Sequence, residues 1–96
     1  QGAVDFYVFI AQPDARKAFQ QALTEAHTQS HGDEEESQAL LTKDAFEVVD
    51  HPPMPKLQAQ RFAEGRIHTV RPSDDAQAIA VGSDGHTKGW LFYGWG

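Results

Sequence analysis

The sequence predicts an α+β fold. It reads as a single small domain, a mostly antiparallel or mixed sheet of four to five strands, with one long helix packed on a face and a second short helix. Three observations predict it. The chain opens on an alternating apolar run, continues with a stripe of apolar residues at spacings of three and four, and ends in alternating segments broken by turn residues. A length of 96 residues is room for one domain, and a hydrophobic share of 40% is enough to fold it. The Gln1-Gly2 pair matches the end of a common tag-cleaving protease site and is read as an expression scar, with residues 3–96 as the domain.

Residues 4–11 form the first strand. Val4, Phe6, Val8 and Ile10 alternate onto one face, while Tyr7 and Phe9 take the other, so the strand is expected to be covered on both sides and central. Gln12-Pro13-Asp14 stops it. Proline suits the first turn of a helix and an early aspartate suits its positive end, so a helix is expected from Asp14 to His31. Ala15, Ala18, Phe19, Ala22, Leu23 and Ala26 make its apolar stripe, and Gly32 its stop.

The charge run Asp33-Glu34-Glu35-Glu36 reads as a solvated loop. Residues 39–50 support two readings, a pair of strands around Thr42-Lys43-Asp44 or a short helix and one strand. The β-branched residues favour a strand over 45–50. His51-Pro52-Pro53-Met54-Pro55 is a stiff connector. Pro55 then opens a short helix over 56–64, with Leu57, Ala59 and Phe62 as candidate buried residues and Gly65 as its end.

The last third reads as an antiparallel meander with strands over 66–71, 77–81 and 88–95. Asp84-Gly85 between the last two is the strongest short hairpin signal. A competing reading makes 74–81 a helix with a capping-box-like Asp74 and Gln77. Trp90 and Phe92 should share one face of the closing strand, and Leu91, Tyr93 and Trp95 the other.

The absence of cysteine excludes disulfide scaffolds, zinc ribbons and thiol nucleophiles. No apolar run reaches the ~20 residues of a membrane span, and a net charge of −6 argues against direct binding to nucleic acid or an anionic membrane. No methionine precedes Ala3. A cytoplasmic location is expected, or an extracytoplasmic one if a leader has been removed.

Candidate chemistry is thin. His27 and His31 lie four apart, which brings two imidazoles onto one helix face, where a metal-dependent enzyme could use them. The intervening Thr28-Gln29-Ser30 offers no general base, and neither His51, His68 nor His86 is an evident third ligand, so no metal or other cofactor is expected. His68 is expected to be partly buried in its strand, with His51 and His86 exposed. Ser83 sits in a Gly-Ser-Asp-Gly stretch that a hairpin explains. Asp74-Asp75 reads as turn chemistry.

Two features stand out. Residues 33–50 hold Asp33, Glu34, Glu35, Glu36, Asp44, Glu47 and Asp50 against Lys43 alone, so the net charge of −6 sits in this one segment. Complementary charge steers encounter and selects partners, which makes the segment a candidate docking surface for a basic protein. The second feature is the aromatic end, where Trp90, Tyr93 and Trp95 are either core or anchors for a partner. Together they favour a small non-catalytic binding protein, an inhibitor of a basic protein partner of the toxin-immunity or phage anti-defence type. The alternatives are the metal-dependent enzyme and a structural or assembly subunit that forms a homo-oligomer through an edge strand.

Overall fold

Alternation builds the first element, β1 (Asp5–Ile10), and Pro13 ends it. The structure, a computed structural model, describes residues 3–28 and 34–96, and of residues 34–36 the backbone alone. Helix α1 (Ala15–Thr28) follows, its first turn capped by Asp14, whose carboxylate accepts the Lys17 N–H at 3.0 Å. Then come α2 (Glu34–Leu41), the short strand β2 (Phe46–Val48), α3 (Lys56–Arg66), a single 3-10 turn over Ile67–Thr69, and the strands β3 (Ala76–Ser83) and β4 (His86–Trp95).

The four strands form one mixed sheet in the order β1-β4-β3-β2. β4 pairs antiparallel with both β1 and β3, whereas β2 pairs parallel with β3. A parallel neighbour needs a crossover, and α3 with its 3-10 turn supplies it. The first strand thus meets the last, and Val4 and Gly96 exchange N–H···O bonds of 3.0 and 2.9 Å.

The sheet is the middle of three layers. On one face Phe6, Ile10, Ala78 and Phe92 pack against Phe19 and Ala22 of α1 and Leu40 of α2. The rings of Phe19, Phe46 and Phe92 meet there with centroids 5.1 to 5.7 Å apart. On the other face Ile79, Leu91 and Tyr93 pack against Ala59 and Ala63 of α3, Ile67 and Met54. Helix α3 also reaches β1, since the Lys56 ammonium lies 4.6 Å from the centre of the Phe9 ring.

The α+β class, the four-stranded mixed sheet and the hairpin agree with the sequence reading. Asp84 and Gly85 both have positive φ, 54° and 76°, the pairing that a two-residue hairpin turn requires. The ladder slips between Val81 and Gly82, where a Cβ would run into the carbonyl of His86.

Several expectations are corrected. Among the described residues no helix is long: α1 has 14 residues, and the expected continuation over 29–31 lies outside the described residues. β1 is an edge strand, not a central one; helices on both sides of the sheet give even an edge strand two apolar faces. The backbone of residues 34–36 belongs to α2 and is not a loop. The short-helix reading holds for 39–41, and the strand shrinks to residues 46–48.

The expected strand over 66–71 does not form. Ala59, Ala63 and Ile67 are buried at helical spacing of four, so the chain stays helical through Gly65 and into the 3-10 turn despite its β-branched residues. Leu57 lies off that stripe and is 67% exposed, and His68 is exposed instead of half-buried. The competing helix over 74–81 is the strand β3. Among the described residues no helix is long and apolar enough to cross a membrane.

Candidate functional site: an acidic groove beside the edge strand

Strand register puts four polar-headed residues in one row. Tyr7 pairs with Tyr93, Tyr93 with Gln77, and Gln77 with Glu47, so the row crosses the whole sheet on the α3 side. Near β2 this row opens onto a groove that α3 reaches with Arg66. The helix ends at Arg66, turns, and returns to β3 through residues 70–75. A groove of about 740 Å³ is left between residues 47–50 on one wall and Arg66, Thr69, Val70 and residues 73–75 on the other, with Gln77 and Tyr93 contributed by the sheet.

Long-range polar contacts hold the second wall. The Trp95 indole N–H donates to the carbonyl of Ile67 at 2.8 Å, which fixes the 3-10 turn to β4. Lys43 is buried, and its ammonium donates to the carbonyls of Pro72 and Asp74, both at 2.7 Å. Burial pulls the Lys43 pKa below the ordinary lysine value, against the opposing pull of Asp74 and Asp75. The Asp74 carboxylate accepts the Arg71 N–H at 2.9 Å, and the Gln77 amide donates to the Asp75 carbonyl at 3.1 Å.

Four carboxylates, those of Glu47, Asp50, Asp74 and Asp75, line the groove against the single guanidinium of Arg66. That guanidinium lies 4.9 Å from the centre of the Phe62 ring, and Phe62 in turn lies 5.3 Å from the His51 ring. Tyr93 is 2% exposed. Its hydroxyl makes no hydrogen bond to any described residue, and burial pushes its pKa up while Arg66 pulls it down.

The residues singled out in the sequence are dispersed. Glu47, Asp50 and Tyr93 meet in the groove. Asp44 lines a second hollow of about 560 Å³ with Arg16, Phe19 and Leu23, on the α1 side. Glu34, Glu35 and Glu36 open α2, and Asp33 lies outside the described residues, as does His31. Trp90 and Trp95 are half-buried and spend their indole N–H groups internally, Trp90 on the carbonyl of Pro13 at 2.8 Å. His27, His51 and His86 are exposed. Among the described residues no three histidine, aspartate or glutamate side chains come together in a way that could hold a metal ion.

Sequence reasoning missed Arg66, Asp74, Asp75 and Gln77. The one signal was the surplus of acids at 74–75 beyond what a turn needs; the parallel β2–β3 register that brings them beside Glu47 has no local signature. Comparison of the chain with protein-family models, with curated proteins and with solved structures found no match.

Proposed function

We propose that this protein is a small acidic, non-catalytic binding protein, an inhibitor that docks on the basic surface of a protein partner in the manner of a toxin's immunity protein or a phage anti-defence protein. One observation carries the docking surface. Lys43, the one base among residues 33–50, is turned inward onto two carbonyls, so its charge leaves the surface while Glu47 and Asp50 stay exposed. Glu47 and Asp50 therefore present their charge without the segment's own base beside them. Val48, half exposed between them on the edge strand, adds apolar area for affinity. The inhibitory role rests on size and charge.

The acids would mainly raise the association rate and select the partner. The test begins with co-purification from the native source and then follows association kinetics across a salt series. Replacing Asp33, Glu34, Glu35 and Glu36 with Ser, or Glu47 and Asp50 with Gln and Asn, is expected to slow association and flatten its salt dependence with the fold intact. If both variants associate at the parent rate with the parent salt slope, the acids are only a solvated surface.

A further inference from the structure

The groove contains more than a set of acids. A tyrosine hydroxyl inside a protein almost always has a partner, because leaving it without one forfeits the hydrogen bonds it makes in water. The Tyr93 side chain is 2% exposed, lines the groove, and its hydroxyl bonds to no described residue. None of the described buried polar atoms is both sealed from solvent and unbonded, so the residual exposure of this hydroxyl opens into the groove. The phenol oxygen is thus offered to whatever enters.

The entrant must also suit the walls. Glu47, Asp50, Asp74 and Asp75 demand positive charge, and Val49 and Val70 present apolar surface beside them. A guanidinium answers both demands. It is planar and weakly hydrated, has apolar faces, and carries five N–H donors in a fixed fork that matches several oxygen acceptors at once. An ammonium is a compact, strongly hydrated point charge and loses more on entering. The groove's own guanidinium, Arg66, lies over the Phe62 ring and pairs with none of the four carboxylates within salt-bridge distance.

We propose that the groove is a recognition site for an arginine side chain of the partner, with the Tyr93 hydroxyl accepting from its guanidinium and the four carboxylates balancing its charge. This rests on the basic-partner reading above and gives it a point of attachment.

The experiment titrates the free protein with N-acetylarginine amide, N-acetyllysine amide and N-acetylcitrulline amide, and separately with a tetra-arginine peptide. Tyrosine ring resonances and the backbone amide resonances of the groove residues provide the readout; the chain has two tyrosines, Tyr93→Phe assigns them, and the amides report binding to that variant. The arginine probe is expected to shift the Tyr93 signals saturably, the lysine probe to bind several-fold more weakly, and the uncharged citrulline probe not to bind. Tyr93→Phe, which keeps the buried ring, is expected to weaken the arginine probe by about tenfold to a hundredfold, the size of one hydrogen bond to a charged group, and to change the lysine probe less. Asp75→Asn, at an exposed position, is expected to weaken both.

The proposal is overturned if the arginine probe leaves the Tyr93 signals unmoved, if citrulline binds as well, or if Tyr93→Phe binds arginine with parent affinity. If in such a case tetra-arginine still binds with a steep salt dependence, the acidic docking surface stands and only the groove assignment falls. If tetra-arginine does not bind either, both fall.

Discussion

Burial moves the titration of Lys43 and of Tyr93, and the two act on stability in opposite senses. Burial holds Lys43 below its ordinary 10.5. The unfolded chain then binds the proton more tightly, so stability rises with pH between the folded value and 10.5. Tyr93 is held above its ordinary 10.0, mainly by burial, so the folded chain keeps the proton longer. Its contribution is complete below pH 10 and is lost as pH rises through the folded value. We expect the melting temperature of the parent protein to fall more steeply above about pH 10 than that of Tyr93→Phe. Thermal melts of the two proteins from about pH 8 to 11 check this, and parallel curves would refute it. The burial of Tyr93 was legible, since strand alternation sets Leu91, Tyr93 and Trp95 on one face and both faces of β4 are covered. The burial of Lys43 was not. Its carbonyl partners lie 29 and 31 residues away, and a lone base among acids looks like a surface residue until that distance is closed.

Elements whose signal is local were recoverable from the chain alone, as β1, α3 and the β3–β4 hairpin show. The hairpin turn depends on two positive-φ residues in sequence, and Asp84-Gly85 states that in two letters. Replacing Gly85 by Ala forces a Cβ into left-handed backbone and is expected to cost about 1–2 kcal/mol. Nothing lies within 4 Å of that Cβ, so urea unfolding of the variant reads the backbone term without a clash. Elements that rest on competition between periods were misread. Residues 66–71 carry β-branched side chains, yet Ile67 continues the four-residue spacing of Ala59 and Ala63 and is buried with them. A cluster of glutamates looked like loop, but the end of α2 buries Ala39 and Leu40 against the sheet, and that burial commits its backbone to a helix.

At the scale of the whole molecule, the layers set both the energetics and the site. Fold class was legible because each apolar pattern needs a partner surface, and the count of patterns limits the arrangements. Strand order was not, because it follows from which strands meet over long sequence separations. The groove inherits that illegibility, since it exists only where the parallel edge strand and the returning crossover diverge. The core on the α1 side should respond as one unit. Phe19 is 5% exposed and touches the rings of Phe46 and Phe92, so Phe19→Ala is expected to cost about 3–5 kcal/mol in urea unfolding. A cost below about 0.5 kcal/mol would place Phe19 outside the core. The bonded pair of Val4 and Gly96 has a mechanical consequence. A chain pulled apart at these two residues is loaded at one end of the β1–β4 ladder, along its hydrogen bonds and perpendicular to the strands. The rungs then break in succession from Asp5–Trp95 towards Ile10–Trp90, as a zipper opens, and never share the load.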